Sequence, residues 1–210
     1  MARGIFGAIA RGLNRASAGV PAYPGLIPPL GSVQSASGLL VSQNTAMSVG
    51  AVYRAVAVRS NDIARCEPSV YSEAKDGTRT KVEDHEIAQI FRRPNRVQTW
   101  YEFIRDMWVG YLLRGNAYAA ILRDRRGKVT ELIYINPDAV LVLEDSDGGW
   151  WYNVNRLGLF QMAVLRDFPV ALPAEAILHI RGMSFNMLVA ASTIGLARDA
   201  IGLSMGQNIQ

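Results

Sequence analysis

Cysteine and histidine are scarce: Cys66 stands alone, and His85 and His179 are the two histidines in 210 residues. One cysteine excludes an internal disulfide and every metal site of the Cys-x-x-Cys kind, and it suits a reducing compartment. A nucleophile with an imidazole base would have to be built from those three residues or from a serine beside a histidine. Acidic side chains are missing ahead of Asp62, so the first charges are all Arg3, Arg11, Arg15, Arg54 and Arg59. From Ala16 to Tyr53 there is no charge at all, yet Pro21, Pro24, Pro28 and Pro29 interrupt the stretch with many Ser and Gly, and it fails as a membrane span. A phosphate-cradling loop is missing too. Gly110, Gly115 and Gly127 lack the spacing, and the Lys-Ser or Lys-Thr, that would hold a nucleotide.

Apolar residues, by contrast, make up 50% of the chain against 19% charged, so a core is easily built and wholesale disorder is excluded. The length allows one sizeable domain, or one domain with an extended arm. Up to about residue 40, Gly, Pro and Ser recur every few positions and predict an irregular segment that lies along something else. The opening Met-Ala-Arg-Gly-Ile-Phe looks amphipathic but lacks a cleavage signature, so it reads as part of this arm. The formal net charge of +4 speaks to non-specific association with phosphate or an acidic surface, and not to a site.

The best-defined stretch is Trp100 to Pro137. Trp100, Phe103, Ile104, Met107, Trp108 and Tyr111 repeat at the spacing of one helix face, with Thr99 at the N-cap and Gly115-Asn116 ending the pattern. A hairpin follows: Ala117 to Arg123, the turn Asp124-Arg125-Arg126-Gly127, then Val129 to Ile135, closed by Asn136-Pro137. Upstream, Val49, Val52, Val56 and Ile63 mark the buried stripe of a helix from about Thr45 to Arg65. Pro68 breaks it, and Ser69 to Ser72 reads as a short strand ending in the turn Lys75-Asp76-Gly77-Thr78. His85 to Arg92 predicts a short helix with Ile87, Ile90 and Phe91 turned inward. Downstream, Ala139 to Leu143, Trp150 to Tyr152 and Ile177 to Ile180 read as strands. An acidic turn, Glu144 to Gly149, separates the first two, and Asn153 to Pro169 is a longer connection. Leu196 to Ile209 is helical without a stop signal, which implies that more protein follows.

No catalytic constellation emerges. Cys66, between Arg65 and Glu67, is expected as a small core side chain at the inward end of its helix. Glu83-Asp84-His85-Glu86 points four consecutive side chains in different directions and has no second histidine at i+4, so a metal is not expected. His179 is expected as a hydrogen-bonded structural residue on a strand. Two basic clusters, Arg92-Arg93-Pro94-Asn95-Arg96 and Arg123-Asp124-Arg125-Arg126-Gly127-Lys128, sit at turns, where solvated charge is the ordinary outcome. Arg123, Arg125, Arg126 and Lys128 are the candidates for sequence-independent contact with nucleic-acid backbone. The aromatics that a single-strand platform would need fall on the helical stripe instead.

Read in order, the residues resemble the portal proteins of tailed bacteriophages, of the type found in HK97-like phages and gene transfer agents. The resemblance rests on Ser48 to Val56, Ile63-Ala64, Pro68 to Tyr71, His85 with Ile90 to Asn95, Thr99 to Phe103 and Gly115 to Ala119. It continues through Arg123-Asp124 with Gly127 to Leu132, Asn136-Pro137 and Leu172 to Arg181. It implies an α+β wing-like body of short antiparallel strands with packed helices, in which Pro94, Asn95, Gly115, Asn116, Tyr118, Pro137 and His179 are structural motif residues. Residues 1–41 would be the arm, 42–195 the wing, and 196–210 the start of a helix toward a stem, with the family's stem, clip and tunnel loop absent up to Gln210. The implied protein is not an enzyme and uses no cofactor. It is a subunit of a homo-dodecameric ring at one capsid vertex of the virion, assembled in the host bacterial cytoplasm. Its partners would be the major capsid protein, the terminase large subunit, a head-tail adaptor and the double-stranded DNA passing through, with no membrane. Gly182 to Gly195 departs from the family's usual Gly-rich turn. The alternative from another class is a basic nucleic-acid-binding module acting through the arginine clusters.

Overall fold

The computed structural model describes residues 33–144, 149–156, 158–166 and 168–207. Within them the chain runs β1 (Val33–Gln34), β2 (Leu40–Val41), α1 (Gln43–Met47), α2 (Gly50–Ala64), β3 (Tyr71–Glu73), β4 (Arg79–Lys81), α3 (Glu86–Arg92) and α4 (Trp100–Arg114). It continues through β5 (Asn116–Arg123), β6 (Val129–Ile135), a 3-10 turn (Pro137–Ala139), β7 (Val140–Glu144), β8 (Trp150–Val154) and α5 (Gly158–Val164). It then passes β9 (Ala171–Pro173), a second 3-10 turn (Ala174–Ala176), β10 (Ile177–Arg181), α6 (Thr193–Leu196) and α7 (Arg198–Gln207). All pairings are antiparallel, in the orders β10-β5-β6 and β7-β8-β9, with β1-β2 and β3-β4 as separate ribbons.

Strand β5 lies at the centre because both of its faces are buried. Its even positions, Tyr118, Ala120 and Leu122, join Ile133, Ile135, Val140, Tyr152, Val154, Leu172 and Ile177 between the two three-stranded sheets. Its odd positions, Ala117 and Ala119, face α4 and pack against Phe103 and Met107. The two-residue period of a strand thus divides one sequence between two cores, with small alanines where the helix lies close. A third cluster, from Val41, Ala46, Val49, Val56, Leu113, Ile194 and Ile201, joins the helices on the far side of α4.

Helix α4 keeps the expected boundaries for identifiable reasons. The Thr99 hydroxyl accepts from the Glu102 N–H at 3.3 Å while the Glu102 carboxylate accepts from the Thr99 N–H at 2.8 Å, a reciprocal capping box. The Thr99 N–H and hydroxyl, both donating to it, hold the Glu102 carboxyl below its ordinary pKa. At the other end Gly115 takes φ +73°, and its N–H returns to the Tyr111 carbonyl.

Several expectations are corrected. The helix expected over 45–65 is two helices, because Val49 takes an extended backbone (φ −77°, ψ 113°) that buries both Ala46 and Val49. Ile63 is exposed; Ser60 and Ala64 hold the buried line against α4, where small side chains let the helices approach. Cys66 is exposed and not a core residue, since it lies beyond the C-cap Arg65. The expected strand from Ala139 begins at Val140, because the Asn136 side chain accepts from the Asp138 N–H and caps a 3-10 turn first. The connection after Asn153 contains α5, and β9 pairs with β8 despite Pro173 at an edge. The last helix is interrupted at Ala197: Ser192 caps α6, Leu196 is exposed, and Ile201 is buried on α7. Residues 33–41 form a ribbon against α7, with the Ala36 N–H donating to Asp199 at 2.8 Å. Expectations for residues 1–32, for 208–210 and for most of the acidic turn at 144–149 lie outside the described residues.

Candidate functional site

Four of the motif residues meet at the C-terminal end of α4. The Asn116 amide donates to the Arg114 and Ala190 carbonyls at 3.0 and 2.9 Å, and its Oδ1 accepts from the Ala190 N–H at 2.9 Å. Those three bonds fix which end of the amide is oxygen, so His179 Nε2, 3.1 Å from that oxygen, must carry the proton. His179 Nδ1 is therefore the acceptor of the Tyr152 hydroxyl at 3.0 Å. The imidazole also lies over Tyr118, centroids 4.3 Å apart. Burial, with the charge of Arg181 second, brings the His179 pKa down to about 3.

A relay from Tyr152 through His179 to Asn116 thus joins the second sheet, the first sheet and the segment after β10, with every ring nitrogen engaged. Such an imidazole braces and does not abstract protons. Because its folded pKa is depressed, the unfolded chain binds the extra proton as pH falls below 6.5, and stability drops from there toward pH 3. In a pH series followed by NMR, the His179 ring signals are expected to stay those of the neutral Nε2–H tautomer between pH 5 and 8; a titration in that interval would refute the assignment.

Beside this relay lies an ion pair that sequence reasoning missed. Arg114, with 1% of its side chain exposed, faces Asp138 through Nε–Oδ1 at 2.6 Å and Nη2–Oδ2 at 2.8 Å, with Nη1 3.5 Å from the Ser192 hydroxyl. The signal available was one arginine closing an apolar helix directly before Gly115-Asn116. Next to Asp138, buried Pro137 packs under Gly110, where an added Cβ would come 3.0 Å from the proline ring. Asn136 accepts from Gln43 at 3.0 Å and so ties α1 to the same junction.

Pro94 and Asn95 lie elsewhere, docked on the edge of β6. The Leu132 N–H donates to the Pro94 carbonyl at 2.7 Å, and the Asn95 amide donates to the Leu132 carbonyl at 2.9 Å. The Asn95 Oδ1 accepts from the Val97 and Gln98 N–H groups, which turns the chain into α4. Polar groups that would be left bare on a sheet edge are thereby closed.

The basic turn takes no part in either cluster. Arg123, Arg125, Arg126 and Lys128 are exposed at the β5–β6 turn, where Gly127 has φ +82° and the Asp124 carboxylate accepts from the Arg126 and Lys128 N–H groups. A cleft of about 490 Å³ opens beside it, lined by Arg96, Arg123, Thr130, Glu131, Arg166 and Phe168 among others. Glu83 pairs with Arg92 at 2.9 Å, and His85 caps α3 by accepting from the Ile87 N–H, so neither points to a shared ion. Among the described residues no group of three His, Cys, Asp or Glu side chains is placed to hold a metal, and no helix is long and apolar enough to cross a membrane.

Comparison with solved structures gives a chain in the neck of a native gene transfer agent particle computed with C12 symmetry, 18% identical, with TM-score 0.60 over 88% of this chain and 45% of that one. The neck of an empty particle computed with C6 symmetry is 20% identical, with TM-score 0.58 over 85% of this chain and 47% of that one. The chain therefore spans less than half the length of the solved chains it matches. A phage portal protein of the HK97 family from Corynebacterium diphtheriae is 17% identical, with TM-score 0.47 over 81% of this chain and 46% of that one. No curated protein matches. The family model described as phage portal protein matches residues 50–208, which takes in α2 through α7 and every motif residue described above, and the chain belongs to the phage portal protein family, whose members are structural and not enzymatic.

Proposed function

We propose that this chain is the wing part of a subunit in a closed portal ring of the HK97-like type, set at one capsid vertex. The ring is a conduit for double-stranded DNA during packaging and ejection, and a docking collar for the terminase large subunit and the head-tail adaptor. The observation that carries this reading is the family match across residues 50–208, seconded by fold likeness to a neck component solved with C12 symmetry. The buried junction of Arg114, Asn116, Asp138 and His179 suits the role, because it braces two sheets and a helix without leaving a reactive group free. A ring of identical copies needs two different faces that fit each other, and the surrounding capsid protein would bear on the outside. Assembly in the host cytoplasm and residence in the virion go with this role.

The test sets assembly against nucleic-acid affinity. In sedimentation velocity the protein is expected as a large discrete oligomer with little affinity for duplex DNA at physiological salt. Replacing Arg125, Arg126 and Lys128 together by serine should leave the oligomer intact. A basic nucleic-acid-binding module would instead stay small and lose about 2.7 from the slope of log K against log salt in that variant, at roughly 0.9 per phosphate contact.

A further inference from the structure

From Thr193 to Gln207 the sequence is patterned for one helix, and the structure breaks it in two. Ile194, Ala197, Ile201 and Met205 stand at i, i+3, i+7 and i+11, the stripe of a single continuous face. Ile194 and Ile201 are buried in the same cluster, with Met205 packed at its edge. The break between α6 and α7 falls at Ala197, which takes φ −94° and ψ 10°. Its N–H bonds to the Thr193 carbonyl, and the ladder resumes with the Ile201 N–H on the Ala197 carbonyl, both at 3.0 Å. Arg198, Asp199 and Ala200 therefore form the first turn of a new helix, where N–H groups have no acceptor within the helix. An interruption ordinarily marks a proline, a glycine-serine pair or an inserted group. Here it falls at Ala197-Arg198, two of the best helix formers, so its cause is not local.

Each side of the break is held by a different part of the chain. On the α6 side the Ser192 hydroxyl accepts from the Gly195 N–H at 3.3 Å and lies 3.5 Å from Arg114 Nη1, which fixes α6 at the end of α4. On the α7 side lies the turn between β1 and β2. The Ala36 N–H donates to the Asp199 carboxylate at 2.8 Å. A Cβ added at Gly202 would overlap the Ser35 hydroxyl and come 2.6 Å from the Ser35 Cβ, and one added at Gly206 would meet Leu39 Cδ1 at 4.0 Å. Positions 199, 202 and 206 share one face of α7, so the turn lies along that face. It is also closed on itself, because the Ser35 hydroxyl donates to the Leu39 carbonyl at 2.9 Å and accepts from the Leu39 N–H at 3.2 Å. Val41, buried in the helical cluster, anchors its far end. A ribbon of two residue pairs is marginal by itself, and its seat on α7 can open while the cluster below stays packed.

We propose that the turn at residues 35–39 is a releasable strap. Seated on α7 it holds the break at Ala197, and when lifted it lets residues 193–207 join into one helix. The two arrangements differ in what satisfies the first turn of α7: with the strap seated, Asp199 is tied to Ala36, whereas in the joined helix the N–H groups of Arg198, Asp199 and Ala200 find acceptors at Ile194, Gly195 and Leu196. The glycines that admit the strap, Gly202 and Gly206, also weaken the helix, which keeps the two states close in free energy. Val33 follows directly on residues 1–32, so a partner that draws on that segment would lift the strap and change the direction of α7. The switch acts within one subunit and does not depend on the ring reading.

Amide hydrogen exchange of the full chain, resolved by mass spectrometry, tests the switch through changes of opposite sign. Ala36→Pro replaces the donated proton by a ring carbon set against the Asp199 carboxylate and leaves the helix sequence untouched. Ala36 is the second residue of a turn closed by the Gly38 N–H on the Ser35 carbonyl at 2.9 Å, a position that favours proline, so the ribbon itself still forms. Gly202→Ala unseats the strap from the other side. In both variants the amides of residues 37–40 are expected to exchange faster, while those of Arg198, Asp199 and Ala200 exchange slower by about tenfold or more. Gly206→Ala is the control, adding the same methyl to the same helix at ordinary contact distance from Leu39, and it should leave both sets unchanged. Unchanged or faster exchange at 198–200 in Ala36→Pro would overturn the proposal, and so would equal slowing in Gly202→Ala and Gly206→Ala, which would trace the effect to helix propensity. Should one of the two strap variants not fold, the other decides by the same criteria.

Discussion

Among the described glycines, Gly115→Ala is expected to be the most damaging replacement. Gly115 has φ +73°, where an L side chain is strained by about 1–2 kcal/mol, and an added Cβ would overlap the Ala191 carbonyl oxygen. That oxygen is backbone, pinned because the Ala190 N–H and carbonyl both bond to Asn116 and the Ala191 N–H bonds to Met183. Adding overpacking of about 1–3 kcal/mol to that strain gives a loss of about 2–5 kcal/mol. At roughly 2–4 °C per kcal/mol for a chain of this size, the midpoint should fall by about 4–20 °C in a thermal melt. Gly127→Ala separates the two causes. Gly127 has nearly the same φ, +82°, but nothing within 4 Å of an added Cβ, so only the strain of about 1–2 kcal/mol is expected there. Equal losses at both positions would mean that the 190–191 segment does not press on the helix terminus.

Removing Asp138 is the second large effect. Arg114 is among the most deeply buried side chains of the described protein, and its guanidinium lies against one carboxylate, with Nη2 bonded to Oδ2 at 2.8 Å and Nε 2.6 Å from Oδ1. Asp138→Ala leaves that buried charge without its counter-charge, a change that ordinarily destabilises by about 3–5 kcal/mol. Arg114→Met together with Asp138→Ala removes charge and counter-charge together, and urea melts should find the double variant more stable than Asp138→Ala alone. A double variant at least as damaged as the single one would show that the guanidinium matters here through its other contacts and not through Asp138. The exposed Glu73–Arg79 pair gives the contrast: it too is within hydrogen-bond distance, at 3.0 Å, yet in water such a pair contributes about 0–1 kcal/mol.

The sequence announced local features with a local cause and missed those set by tertiary packing. Helix α4, the Thr99 cap, the Gly115 terminus and the β5–β6 hairpin were legible because periodicity, caps and turn residues act within a few positions. The break at Val49, the exposure of Ile63 and Cys66, and the helix inside the 153–169 connection were not. Each depends on which neighbour lies against the segment, and a hydrophobic stripe does not say how closely a second helix approaches. The relay was half legible. His179 could be placed on a strand, but its partners Asn116 and Tyr152 come from strands far apart in the chain, and no spacing rule links them. Arg114 was hidden for the opposite reason, since a basic residue in the last turn of a helix ordinarily faces water and the helix dipole.

The central expectation for this protein is a closed assembly of copies. Class averages of the purified protein by electron microscopy are the shortest route to it. Hollow discs with a central channel and rotational symmetry are the result expected. A homogeneous population of single subunits, unchanged at high concentration and with the chain in the full length its gene encodes, would contradict it.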